Sequence, residues 1–353
     1  MTARRIVAVP RIDLPDEEVA RSTASILDAK TKPPGSLGRL EALACRLAAI
    51  RGEVPGEPLR PVVVVATADH GVAAQGVSAY PQAVTGQMLA NFANGGAAIS
   101  VLAREAGAQL IVVDAGVIDP PAIAGVRTLV VDGIRGTADL ARGPAMRPGV
   151  ALGLIDRGIA LVGELAAEGF CVIALGDMGI ANTTAASALA AALLPADPAA
   201  VCGPGTGLDR DGVARKIGVV RTGLATNGLE PSTDPLAVLA AVGGLEIAFL
   251  VGLMLGAAGR RVPVVLDGFV TGAAALVAAR LEPALVGSLI AATRSPEPGH
   301  ALILEGLGLE PLLDLGIRLG EGSGAALALP LVRAAVAILT DMATFDEAGV
   351  SRA

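Results

Sequence analysis

The chain has 353 residues, 53% of them apolar but only 2% aromatic and none tryptophan, so its core must be Ala, Val and Leu. A net charge of −7 and an isoelectric point near 5.0 leave no basic footprint and argue against nucleic acid as a partner. The length suits one large α/β domain with an accessory piece, or two domains.

The N-terminus carries Arg4 and Arg5 but only a four-residue apolar run, so it does not read as a signal peptide. Residues 15–29 read as a helix with acidic residues in its first turn. A second helix is expected over 36–51, with Ser36 as N-cap and Leu37, Leu40, Leu43 and Leu47 as its apolar stripe. Lys32-Pro33-Pro34-Gly35 is the turn between them.

A new pattern then recurs, in which an apolar run ends at Asp and Gly. It ends at Asp69, Asp114, Asp132, Asp177 and Asp267. Apolar runs without alternation suit parallel strands buried on both faces. Ala-rich segments at 95–106, 182–193 and 235–258 read as the intervening helices. The alternation predicts an α/β fold built on a doubly wound parallel sheet. Open sheets of this kind bind ligands at the carboxyl ends of their strands, so the five Asp-containing turns are expected to share a crevice, unless each Asp only caps the next helix. The stretch 235–258 is the strongest membrane-span candidate, given a mean hydropathy of +0.63, but Glu246 and Gly243-Gly244 favour a buried helix.

The C-terminal part differs. A glycine loop at 320–324 precedes an apolar helix expected over 325–342, which contains Pro330. The terminal helices are expected to pack together, giving a Rossmann-like domain over 60–309 and a small helical second domain from 1–59 with 310–353. The odd, dispersed cysteines Cys45, Cys171 and Cys202 read as buried free thiols of a reducing cytosol. His70 and His300 alone cannot make a His-rich metal site, and no metal or cofactor is expected.

Five features point to chemistry. Gly176-Asp177-Met178-Gly179 followed by Asn182 and Thr183 is a strand, a turn and a helix start, where exposed N–H groups bind anions; a plain βα turn is the alternative. Gly203 and Gly205 form a second glycine loop, and Lys216 on the following helix can complete a phosphate site or be a solvated surface lysine. Val264-Val265-Leu266-Asp267-Gly268 partly resembles the diphosphate-ribose loop of phosphoribosyltransferases, without its paired acids. Glu321 lies between Gly320 and Gly322 in an apolar stretch, where loss of solvent raises a carboxyl pKa and makes a base for neutral pH; the alternative is a glutamate favoured by a helix dipole. Tyr80, Met88 and Met178 can make a flat slot for a planar ring, or simply pack in the core.

At this point the chain resembles the nicotinate-nucleotide:dimethylbenzimidazole phosphoribosyltransferases of the cobalamin lower-ligand pathway. The matching stretches include 32–41, 68–72, 76–81, 91–99, the Asp177 turn, 203–209, 243–248, 295–300 and the Glu321 loop. The resemblance implies a Rossmann-like domain with a small helical one, and a cytoplasmic homodimer. Glu321 would be the general base. Gly176, Gly179, Asn182, Thr183, Gly203, Gly205, Lys216 and Ser295 would hold the ribose phosphate of nicotinate mononucleotide. Tyr80, Gln82, Met88, Asp177 and Met178 would surround the benzimidazole-type base. The family turn usually reads Gly-Glu-Met-Gly, so Asp177 is one methylene shorter. Alternatives are transfer to a phenol, adenine or another azole, and a nucleotide-binding homologue without catalysis. Neither nucleic acid nor a membrane is expected as a partner.

Overall fold

A computed structural model describes residues 9–229 and 234–351. Most of the arginine-bearing N-terminal stretch, residues 1–8, lies outside the described residues. The sheet has six strands: β1 (Pro61–Ala68), β2 (Gln109–Gly116), β3 (Val126–Thr128), β4 (Val172–Met178), β5 (Val264–Leu266) and β6 (Leu289–Ala291). Their order is β3-β2-β1-β4-β5-β6, and every pair is parallel. The direction of winding reverses between β1 and β4, which leaves a crevice at their carboxyl ends.

The continuous apolar runs are explained by two cores, one on each face. Val62, Val64, Ala66, Ile173, Leu175, Val264 and Leu289 face one core, together with the helices Pro148–Ala167, Leu245–Ala258 and Phe269–Leu281. Their neighbours Val63, Val65, Val172, Ala174, Val265 and Ile290 face the other, with residues of Arg39–Arg51, Val84–Ala93, Ala98–Glu105 and Ser323–Asp341. A strand with a side chain in each core has no polar face to present, which is the doubly wound α/β arrangement expected from the pattern.

The terminal segments meet on the second face. Helices Glu17–Asp28, Arg39–Arg51 and Ser323–Asp341 pack on one another. Lys30 bridges to Thr344, and its ammonium donates to the Met342 carbonyl at 2.6 Å. Ser323–Asp341 is long and apolar enough to cross a membrane, but about half of it is buried against the rest of the fold.

Local differences have physical causes. Leu129–Val131 lies beyond β3, which ends at Thr128, so the strand precedes the expected apolar run. The expected single helix over 235–258 is two helices, Pro235–Val242 and Leu245–Ala258, broken at Gly243-Gly244. A side chain at Gly244 would strike His70 and Glu246, so glycine is required at this break. The second N-terminal helix begins at Arg39, capped by Gly38 rather than by Ser36, and Leu37 is exposed. Only Cys202 is fully buried; Cys45 and Cys171 are half-buried free thiols.

Candidate active site

A cavity opens over the carboxyl ends of β4, β5 and β6. Its walls are the turn Asp177–Thr183, the loop at Gly205, the segments Asp267–Val270 and Thr293–Glu297, and residues 317–320. Of the five Asp residues that end apolar runs, Asp177 and Asp267 line it. The other three act elsewhere, which corrects the expectation of one shared crevice. Asp114 accepts the N–H groups of Gly116 and Val117, Asp69 accepts that of Ile118, and Asp132 pairs with Arg147 at the surface.

The turn after β4 is sharp. Ala181 sits at φ 74°, the left-handed region, and the helix Asn182–Leu193 starts at once. Within the turn the Asn182 N–H donates to the Gly179 carbonyl and the Thr184 N–H to that of Ala181. Asn182 Nδ2 donates to Asp177 Oδ2 at 2.8 Å. Asp177 is buried, and its carboxyl is pushed well above the usual range by burial and then by the charges of Asp267 and Glu246. Asn182 opposes part of that rise by donating to the carboxylate.

Lys216 is fully buried beneath this turn rather than solvated. Its ammonium donates to Thr183 Oγ1 at 2.9 Å and to the Gly203 carbonyl at 3.2 Å, so it ties the two glycine turns together. Burial lowers its pKa, which the negative charge of Glu297 partly offsets. Glu297 Oε1 accepts the Gly205 N–H at 2.8 Å, while the buried Oε2 has no partner among the described residues. Ser295 lines the cavity; its N–H donates to His300 Nδ1 at 2.9 Å. Burial, and then Arg294, depress that imidazole to about 4, so it is neutral and can accept.

Glu321 lies next to the lining residues Leu319 and Gly320 and is 7% exposed. Burial first, and the charge of Asp267 second, raise its carboxyl to about 7. Its φ of 63° is left-handed, a conformation that costs a residue with a side chain about 1–2 kcal/mol. The backbone here lies directly against β4. A Cβ at Gly176 would come within 2.5 Å of the Glu321 carbonyl oxygen, so glycine at 176 lets the two turns touch. Asp267, and not Glu321, occupies the N-terminus of Ser323–Asp341. Its Oδ1 accepts from Gly324 at 2.6 Å and Ala325 at 3.0 Å, and its Oδ2 from Gly322 at 3.1 Å. The helix-dipole reading of Glu321 therefore fails, because another carboxylate already takes that place.

The structure brings together Gly179, Asn182, Thr183, Gly205 and Ser295 on one side of the cavity, with Asp177 and Met178 beside them. Gly176, Gly203 and Lys216 are one layer beneath, shaping and bracing the wall. Tyr80 is 52% exposed and is not on the wall, although Val77 and Ser78 of the same loop are. Gln82 lines a separate cleft with Asp69 and Val117. Met88 is half-buried against the second core. Sequence reasoning missed Glu297 as a wall residue, although its motif was marked, because nothing local shows that its carboxylate turns back to Gly205.

This architecture matches known proteins along nearly its whole length. Residues 12–350 match the model of a family described as phosphoribosyltransferase. The chain is 52% identical over 339 residues to the nicotinate-nucleotide–dimethylbenzimidazole phosphoribosyltransferase of Chloroflexus aggregans, covering 95% of each chain. It is 52% identical over 325 residues to the protein of the same name from Azotobacter vinelandii, covering 92% of each. The crystal structure of CobT from Thermus thermophilus superposes with a TM-score of 0.89 at 49% identity, covering 95% of this chain and 100% of that one. On a family-model match over residues 12–350 and relatives about half identical along nearly the whole chain, the chain belongs to this phosphoribosyltransferase family.

Proposed function

We propose that this enzyme transfers the 5-phosphoribosyl group of nicotinate mononucleotide to 5,6-dimethylbenzimidazole, giving alpha-ribazole 5'-phosphate and nicotinate for the cobalamin nucleotide loop. The observation that carries the reading is Glu321, a carboxyl 7% exposed beside the cavity and poised near pH 7. Relatives about half identical across the chain bear the name of this reaction.

The chemistry follows from charge. In the mononucleotide, C1′ of the ribose carries a pyridinium. As the C1′–N bond breaks, its electron pair neutralises that nitrogen and the leaving group departs as nicotinate. The imine nitrogen of the benzimidazole attacks C1′ through its lone pair. The other ring nitrogen then loses its proton to Glu321, so the positive charge does not accumulate on the product. A carboxyl near 7 is matched to this proton transfer, since enough is ionised at neutral pH and each ion is a stronger base than an ordinary carboxylate.

The wall opposite supplies the grip. The Thr183 and Ser295 hydroxyls on the cavity wall suit a phosphate, the Gly205 N–H being already donated to Glu297, and Lys216 braces the turns that present them. Holding the phosphate aligns C1′ with the incoming nitrogen. Asp177 and Met178 suit the aromatic base; Tyr80, Gln82 and Met88 would have to approach from the neighbouring loop and helix on binding.

The same proposal includes a cytoplasmic homodimer and a division into a 60–309 α/β unit and a helical unit from 1–59 with 310–353. Helices Glu17–Asp28, Arg39–Arg51 and Ser323–Asp341 pack on one another, and they also share the second core with the sheet. The test of function is product analysis with nicotinate mononucleotide and a panel of bases. Nicotinate release that depends on dimethylbenzimidazole supports the proposal. Release only with a phenol, adenine or another azole assigns a different acceptor. Tight binding of the mononucleotide without release under any base would refute transfer.

A further inference from the structure

Asp267 has no place in the proton transfer, yet its carboxylate is the most heavily bonded group at the site. It lies at the end of β5, is 3% exposed, and accepts three backbone N–H groups from residues just after Glu321. Its own backbone is pinned as well, because Thr271 Oγ1 accepts the N–H groups of Asp267 at 3.0 Å and Gly268 at 3.1 Å. We propose that Asp267 is the positioning residue for the base: it clamps the backbone at 322–325, holds Glu321 in its left-handed conformation against β4, and sets the electric field in which Glu321 gains and loses its proton. The inference rests on the reading of Glu321 as the base.

The geometry supports each part. Glu321 and Gly322 are both left-handed, at φ 63° and 86°, a pair that a free loop would not keep. Carboxylate bonds to three aligned N–H groups are charge-assisted and also lie on the positive end of a helix of 19 residues. The clamp spans 55 residues of sequence between Asp267 and Gly322, so it joins the base directly to the sheet. The charge of Asp267 reaches Glu321 from the end of β5; the charges of Asp267, Glu246 and Glu321 act on Asp177 at the end of β4, and Arg318 lines the same cavity.

The test is Asp267→Asn in the full-length enzyme. The amide keeps the shape, and its one oxygen can still accept from Gly324 and Ala325. Its NH2 group then faces the Gly322 N–H, so the disturbance falls beside Glu321. Displacing a reacting group by about an ångström costs on the order of 10²-fold in rate, and kcat is expected to fall by that factor while KM for nicotinate mononucleotide changes little. The acidic limb of the kcat–pH profile, near 7 in the parent, moves to lower pH, because removing a neighbouring negative charge makes Glu321 easier to ionise. An unchanged kcat, or a fall in kcat with the limb left in place, overturns the proposal. Should Asp267→Asn not fold, Thr271→Val keeps the charge and loosens its anchor; it lowers kcat by a smaller factor, and a folded Thr271→Val with unchanged kcat overturns the proposal equally. If Glu321→Gln retains activity, the base assignment itself has failed; if Glu321→Gln is inactive while Asp267→Asn is unaffected, only the positioning role has.

Discussion

Replacing Glu321 with glutamine separates activity from stability, because the same carboxyl serves the first and burdens the second. In the fold it titrates near 7, against 4.5 in an unconstrained chain. A group whose folded pKa is raised gives stability that is fully present below pH 4.5 and is lost as pH rises through 7. Across that window the loss reaches about 3 kcal/mol, at about 1.4 kcal/mol for each pH unit. Glutamine has no charge to desolvate, so Glu321→Gln is expected to be the more stable protein at about pH 8 and equal to the parent near pH 4.5. For 353 residues at about 2.1 cal/mol/K each, 3 kcal/mol corresponds to a rise in Tm of about 4 °C. Turnover moves the other way. Loss of a general base costs about 10²–10⁴ in kcat, equivalent to about 3–5 kcal/mol of barrier. Thermal unfolding at two pH values and chromatographic measurement of nicotinate release give both quantities on one preparation. A variant with unchanged kcat refutes the assignment, and a variant whose Tm gain is the same at both pH values refutes the account of why the carboxyl is perturbed.

Three further predictions test the supporting structure. Gly176→Ala places a Cβ within 2.5 Å of the Glu321 carbonyl oxygen, so the turns must separate; kcat is expected to fall by on the order of 10²-fold with KM for the mononucleotide little changed, and steady-state kinetics decide it. Lys216→Ala leaves Thr183 Oγ1 and the Gly203 carbonyl without their shared donor; KM for the mononucleotide should rise more than kcat falls, with about 1–3 kcal/mol lost in urea unfolding for the unpaired groups. Gly252→Ala is a control far from the cavity, because its Cβ would lie 2.1 Å from the Ile155 carbonyl where two helices cross; overpacking of about 1–3 kcal/mol should lower Tm while the folded fraction keeps its kcat/KM.

The sheet was legible where strands are long. Val62–Ala66 and Val172–Leu175 announce themselves because both faces are buried, whereas β6 has only three residues and shows no run to detect. The helix Val84–Ala93 is hard to see because only Thr85, Leu89 and Phe92 are buried, and Gly86 in its first turn is a poor marker of a helix. The site was legible as a set of glycine turns but not as a set of contacts. Gly176 looks like a phosphate-binding glycine in sequence, and in the fold it is the place where β4 meets the Glu321 backbone. Lys216 looks like a surface lysine on a polar helix, and it is buried because Thr183 and Gly203 arrive from other elements. Asp267 looks like the end of a strand, and its partners are supplied by residues 322–325. Each of these roles depends on a distant segment, which local periodicity does not record.

The most direct test of Glu321 as the base is a crystal structure of the Glu321→Gln variant with nicotinate mononucleotide and dimethylbenzimidazole bound together. The proposed mechanism requires one ring nitrogen to face C1′ of the ribose and the other to lie within about 2.6–3.2 Å of the side chain at 321. A base seated with both nitrogens turned away from residue 321, or nearer to Asp177 than to it, would contradict the claim.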